Sequence, residues 1–358
     1  MTGVLPDTAI LGMIGNGSID ADMAFADAQV QPASLDLRLG NVACRVRASF
    51  LASGGSCVAD RLNKFEMHRF DLGDGAVLEK GCVYVVPLME RLALPGTVSA
   101  VANAKSSTGR LDLLTRTITD GATEFDRVPA GYHGPLYAEI CPRSFSVLVR
   151  PGMRLNQIRF REGHVALDDA ALVALQDEVG LVSGEAMISE GLGFSVDLDP
   201  VDGTLVGYRA KPHGGVIDLD NVAGYEPDEF WEEIHTSDGR IILDPGAFYI
   251  LVSREAVTIP PTHAAEMAPY LAMAGEFRVH YAGFFDPGFG WAEAGGAGSR
   301  GVLEVRCHEA PFVLEHGQIV GRLVYERMSE RPAALYGNAI SSSYQGQGLK
   351  LSKQFRMG

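Results

Sequence analysis

The chain has 358 residues, 46% of them apolar, 8% aromatic and 21% charged, enough for two domains with real cores and too apolar for a disordered polypeptide. With 30 Lys and Arg against 45 Asp and Glu, the net charge of −15 argues against general binding to nucleic acid or a membrane surface. No run of about 18 apolar residues offers a membrane span, and the start MTGVLPDTAI lacks the basic region and apolar core of a signal peptide.

In chain order, a short helix is expected near Asp7–Met13, before the turn Gly15-Asn16-Gly17. A strand follows in PASLDLRLG (32 to 40), then a longer one in VLEKGCVYVVPLMERLALP (77 to 95). That segment reads like IILDPGAFYILVSREAVTIP (241 to 260), and YAEICPRSFSVLVRPGMRLNQIRFRE reads like VLEVRCHEAPFVLEHGQIVGRLVYER. Gly81 and Gly246, Tyr84 and Tyr249, Pro95 and Pro260, Glu139 and Glu304, and Gly152 and Gly317 are each 165 residues apart. A constant offset over about 70 residues marks an internal repeat. Alternating short apolar runs bounded by glycine turns make each copy a β-rich barrel or sandwich. Between them, LDDAALVALQDEVG has Asp168 as N-cap, Leu172, Leu175 and Val179 on one helical face, and Gly180 as the stop. The expected division is residues 1–163, a helical connector over 164–190, and residues 191–358.

The five cysteines Cys44, Cys57, Cys82, Cys141 and Cys307 are far apart, with no C-x-x-C. That speaks against a disulfide framework or a cysteine zinc site and fits a reducing cytoplasm. The nine histidines form no H-x-x-x-H or H-x-H pair, and no P-loop, G-x-G-x-x-G or G-x-S-x-G is present. Chemistry therefore has to lean on carboxylates and hydroxyls.

Four places carry it. In AKSSTGRLDL (104 to 113), Lys105, Ser106, Ser107, Gly109 and Arg110 put two cations and two hydroxyls on one turn, as a phosphate cradle requires; a capped, solvated turn fits the same residues. The second copy has YLAMAGEFRV here, with Glu276 near the place of Arg110. Glu139 and Glu304 each sit inside an apolar strand. A carboxylate there is costly unless paired or functional, and desolvation suits it to acid–base work; a water-facing strand carboxylate is the alternative. In AGFFDPGFGW (282 to 291), Phe284, Phe285 and Phe289 flank the turn Asp286-Pro287-Gly288, either as a wall for a base or as core. The first copy has DRVPAGYHG there, with Pro129 in place of the Asp. The tail SSSYQGQGLKLSKQF (341 to 355) is a frayed end or a flap over an anionic ligand.

Together these segments resemble the deoxycytidine triphosphate deaminase branch of the deaminase/dUTPase β-barrel family, in an internally duplicated form. PASLDLRLG resembles its early strand motif, KSSTGRLDL its serine-rich phosphate motif, and FFDPGFG its Asp-Pro-Gly-aromatic turn. YAEI and VLEV resemble its catalytic-glutamate strand, Pro151-Gly152-Met153 the following turn, and SYQGQ its tail. The resemblance implies a mainly β fold of two tandem dUTPase-like distorted, jelly-roll-like barrels with few short helices. It implies zinc-independent deamination of dCTP to dUTP and ammonia. Glu304 or Glu139 would be the acid/base, assisted by Ser106 and Arg110. Lys105 and Ser107 would grip the triphosphate with Mg²⁺ riding on it. Asp286, Phe285 and Gly288 would hold sugar and base, and Tyr344, Gln345, Gln347 and Lys350 would close the tail. It further implies dUTP as product, dTTP as an inhibitor, and a homo-oligomer with trimer-like barrel packing. The first copy keeps the phosphate motif and the second the Asp-Pro-Gly turn and tail, so the expectation is a composite site using Glu304. Lys at 105 and Phe at 284 stand where the family usually has Arg. A dUTPase-like diphosphatase, a bifunctional enzyme and a non-catalytic nucleotide-binding regulator remain alternatives.

Overall fold

The computed structural model describes residues 2–199, 205–269, 277–279, 283–337 and 348–356. The chain forms two compact units. Unit 1 comprises Met1–Val165 with Gly215–Val222 and Met328–Ala333; unit 2 comprises Ala166–Gly214, Ala223–Arg327 and Ala334–Gly358. Two short segments from late in the sequence thus belong with unit 1.

Both units are mainly β. Unit 1 has one sheet in the order Arg127–Val128, Val98–Ala104, Arg154–Glu162, Ser34–Arg38, Val30–Gln31. Its second sheet runs Leu113–Thr119, His133–Pro142, Val83–Ala93, Val42–Val46, Glu66–Asp71. Unit 2 has Leu192–Ser195, Ile319–Arg327, His263–Pro269, Phe284–Phe285 in one sheet and Trp231–His235, Leu205–Ala210, Phe248–Val257, Ser299–Cys307, Phe277–Val279 in the other.

The helices are short. The first spans Asp7–Gly15. The one expected between the copies runs Asp169–Val179, capped as read: the Asp168 carboxylate accepts from Ala171 N, and Gly180 turns out in the left-handed region at φ 66°. Residues 180–190 contain no helix, so the helical part of the connector is eleven residues.

The long strands do not alternate as expected. Tyr84, Val85 and Val86 are all buried, as are Phe248, Tyr249, Ile250 and Leu251. Both faces of these strands are covered. Val85 lies in a cluster with Cys44, Val46, Phe50 and Ile118, while Tyr84 meets Phe70 edge-on.

The 165-residue offset survives in the hydrogen bonds. The Tyr84 hydroxyl accepts from Glu79 N at 3.0 Å, and the Tyr249 hydroxyl from Asp244 N at 2.7 Å. Val98 N donates to Pro95 O and His263 N to Pro260 O, both at 3.0 Å. Gly81 N donates to Pro142 O and Gly246 N to Cys307 O; both glycines have positive φ, near 80° and 71°, which a side chain would resist. A buried glutamate also recurs. Glu90 accepts from Arg38 N and Arg38 Nε at 2.8 and 2.7 Å and from Gln29 Nε2 at 2.8 Å. Glu255 accepts from Ser195 N at 2.8 Å and Ser195 Oγ at 2.5 Å. Each ties an early strand of its unit to a long one.

Candidate active site

The cation motif folds as a single helical turn, Ser106–Gly109, with Lys105 as its extended N-cap. Lys105 O accepts from Thr108 N and Gly109 N at 2.8 and 2.9 Å, and Ser106 O from Arg110 N at 3.1 Å. The amides of Ser106 and Ser107 have no intrahelical acceptor, as in any first turn, and both residues are half-buried, while Arg110 is buried. Lys105 N donates to Leu155 O at 2.8 Å, which fastens the turn to the strand Arg154–Glu162.

The early strand meets this turn. The Lys105 ammonium contacts Asp36 Oδ1 at 2.5 Å, and Arg154 lies 3.6 Å from Asp36 Oδ2. Asp36 is buried, its carbonyl accepting from Gln29 Nε2 at 2.9 Å. The PASLDL and KSSTGR segments therefore converge in unit 1, and Asp36 aims Lys105. Nothing local in PASLDLRLG marks Asp36, because its partner lies 69 residues away.

Beyond the turn, Asp112 is buried and left-handed at φ 54°. Its Oδ2 accepts from Ser144 Oγ at 2.6 Å and its carbonyl from Arg143 N at 3.0 Å. This ties the cation turn to the end of the strand that carries Glu139.

Glu139 and Glu304 occupy matching positions. Glu139 pairs with Val85 and Glu304 with Ile250 across antiparallel ladders. Each carboxylate is buried, only 2% exposed, so the water-facing alternative fails. The neighbouring strand puts Arg116 opposite Glu139, and the guanidinium grips Glu139 Oε1 through Nη2 and, at 3.1 Å, Nε. Arg116 also lies 3.6 Å from the centre of the Phe125 ring, a cation–π stack. Glu139 Oε2 is buried with no hydrogen-bond partner among the described residues. Sequence reasoning missed Arg116; its signal, an arginine inside Leu-Leu-Thr-Arg-Thr-Ile, becomes legible only once register is known.

In unit 2, Asp286 is buried and its carbonyl accepts from Phe289 N at 3.1 Å. Gly288 sits at φ 98°, where a Cβ would come within 2.9 Å of Tyr336 N; only glycine fits. Phe289 belongs to the unit's core. Phe285 meets Phe289 and Phe194 edge-on at 5.1 and 6.4 Å, and Tyr336 lies 5.7 Å from Phe289. The aromatics thus brace the turn from the core side. Tyr344, Gln345, Gln347 and Glu276 lie outside the described residues. Lys350 is described and half-buried.

Among the described residues, no three His, Cys, Asp or Glu side chains group as a metal site, and no helix is long and apolar enough to cross a membrane. All five cysteines are free thiols.

Comparison with known proteins identifies the family. Residues 1–164 match the family model for the 2′-deoxycytidine 5′-triphosphate deaminase N-terminal domain, and residues 168–355 that for its C-terminal domain. The chain is 29% identical over 162 residues to a dCTP deaminase of Halorubrum lacusprofundi, covering 44% of this chain and 77% of that protein. It is 30% identical over 158 residues to a "dCTP deaminase, dUMP-forming" of Beutenbergia cavernae, covering 44% and 78%. A crystal structure of 2′-deoxycytidine 5′-triphosphate deaminase from Agrobacterium tumefaciens is similar over 91% of this chain and 99% of that one, at 56% identity and a TM-score of 0.88.

Proposed function

We propose roles for individual residues on the premise that the chain belongs to the 2′-deoxycytidine 5′-triphosphate deaminase family and is an enzyme that deaminates dCTP. The observation carrying the residue assignment is the pair of buried glutamates at one register, of which Glu304 shares its unit with the Asp-Pro-Gly turn. We assign the acid/base role to Glu304, whose unit also holds the Asp286 turn and the tail. It would deprotonate a water for attack on C4 of cytosine, deliver protons toward N3, and release ammonia, leaving dUTP, with no zinc. Ser106 and Arg110 orient the water and the base. Lys105, steered by Asp36, and Ser107 grip the triphosphate. Asp286, Phe285 and Gly288 hold the nucleoside; Tyr344, Gln345, Gln347 and Lys350 serve as the closing tail.

A Mg²⁺ riding on the triphosphate would neutralise phosphate charge. Such an ion keeps most of its ligands as phosphate oxygens and waters, so it needs no three-residue protein cluster. Homo-oligomeric packing, inhibition by dTTP and a cytoplasmic location belong to the same proposal.

The test is purified protein with dCTP and, separately, dUTP, with and without Mg²⁺, reading ammonia, dUTP, dUMP and pyrophosphate. Ammonia with dUTP supports the assignment. Release of dUMP and pyrophosphate would favour the bifunctional reading, to which the name of the Beutenbergia cavernae relative points. Full activity in Glu304→Gln with loss in Glu139→Gln would refute the choice of glutamate.

A further inference from the structure

In unit 1, a small sheet is completed by a strand from far along the chain. Ala76–Leu78 pairs with Val147–Val149, and Ile217–Asp218 adds in parallel on the other side. Ile217 N donates to Ser146 O at 3.0 Å and Leu219 N to Leu148 O at 3.3 Å. Ile217 and Leu219 are buried. Arg150 clamps the added strand, reaching Asp218 Oδ1 and Oδ2 at 2.7 and 2.8 Å and Asp220 at 3.0 Å.

Among the described residues, unit 2 repeats the first two strands but not the third. Arg240–Leu243 pairs with Phe312–Glu315 in a two-stranded sheet. The register is the same: Val77 opposes Leu148, and Ile242 opposes Val313. Pro311, Val313 and Glu315 stand 165 residues beyond Ser146, Leu148 and Arg150. By that register, Val313 turns its N–H and C=O to the outer edge, where no strand is paired among the described residues. Ile242 and Val313 are 63% and 50% exposed, an unguarded apolar pair on an open edge. The clamp residue has changed sign. Glu315 is exposed, and its carboxylate has a loose contact with Arg240, at 3.5 Å.

We propose that the outer edge of Phe312–Glu315 is a docking site for an extended segment of a partner protein, paired by strand addition. The occupant is defined by the inverted clamp. Unit 1 takes an apolar–acidic–apolar–acidic strand against Arg150; unit 2 takes an apolar–basic–apolar–basic strand against Glu315. Backbone hydrogen bonds supply the adhesion; by the register of Ile217 on Val147 and Asp218 on Leu148, the apolar side chains fall on the Phe312 and Leu314 face, the cationic stems lie over Ile242 and Val313, and Glu315 selects for cations.

The probe is the chain's own docked strand with its two acids replaced: a labelled Gly-Val-Ile-Lys-Leu-Lys peptide, compared with Gly-Val-Ile-Asp-Leu-Asp, in fluorescence anisotropy with the full-length protein. The lysine peptide should bind. Val313→Pro, which removes the outward N–H, and Glu315→Arg should each weaken it at least about tenfold, and Glu315→Arg should admit the aspartate peptide instead. Circular dichroism and deaminase activity should stay at the unaltered level, and Val313→Lys is the second edge variant if Val313→Pro misfolds. Failure of the lysine peptide to bind, equal binding of both peptides, or binding indifferent to the variants overturns the proposal. Sedimentation showing that Val313→Pro splits an oligomer would give the edge to a second copy, and overturn it also.

Discussion

The two glutamate strands are the most instructive pair of regions in this molecule. Each puts a carboxylate at the same ladder position, opposite Val85 in one unit and Ile250 in the other. Around Glu139 the chain has placed Arg116, stacked on Phe125; the second unit carries the Asp286 turn beside its aromatic core. Backbone devices, set by hydrogen bonds and turn geometry, have stayed equal between the units, while side-chain chemistry has diverged. Repeated scaffolds therefore do not imply repeated sites.

The comparison breaks most sharply at the glutamates themselves. Glu304→Gln should lower turnover about 10²–10⁴-fold, with Glu139→Gln within about tenfold of the unaltered enzyme; steady-state ammonia release reads both. Equal losses would mean that the divergence around Arg116 has no catalytic meaning.

The next effect is on stability. Glu90→Gln removes the partner of the buried Arg38 guanidinium and should cost about 3–5 kcal/mol. Glu255→Gln keeps one acceptor for Ser195 and should cost about 1–3 kcal/mol. Urea denaturation distinguishes them, and an equal cost would show the two devices to be energetically the same.

A pH difference should also separate the units. His263 occupies the place of Val98, and burial, with Arg327 nearby, lowers its pKa from 6.5 to about 4. The unfolded chain then binds a proton that the folded one refuses. Stability from this group is full above 6.5 and drains as pH falls toward about 4. His263→Val should flatten the acid limb of the thermal midpoint against pH; an unchanged limb would remove His263 as its source.

The smallest effect is the most symmetric. Tyr84→Phe and Tyr249→Phe each delete one hydroxyl–amide bond, at 3.0 and 2.7 Å, and each should cost about 0.5–1.5 kcal/mol. Values differing by more than that range would show that even the shared scaffold has diverged.

What the sequence made legible follows from locality. Gly81 with Gly246 and Asp168 with Gly180 could be read because positive φ and capping are demands of a few adjacent residues. The Lys105–Arg110 turn, the Asp-Pro-Gly turn and the two glutamates could be read as motifs. Asp36 against Lys105, Arg116 against Glu139 and Arg150 against Asp218 could not, since each joins residues tens of positions apart through register alone. Alternation in Val83–Ala93 misled because both faces of that strand are covered.

The strand Ile217–Asp218 finally bears on how this gene can be cut. A product ending near residue 164 would lack the strand that completes the Val147–Val149 edge. It would present Ser146 O and Leu148 O unpaired and Arg150 without its acids, an adhesive margin of the kind that seeds aggregation. Unit 1 therefore draws on residues some fifty positions beyond its main stretch, and again on Met328–Ala333, so its edges close only when most of the chain has been made.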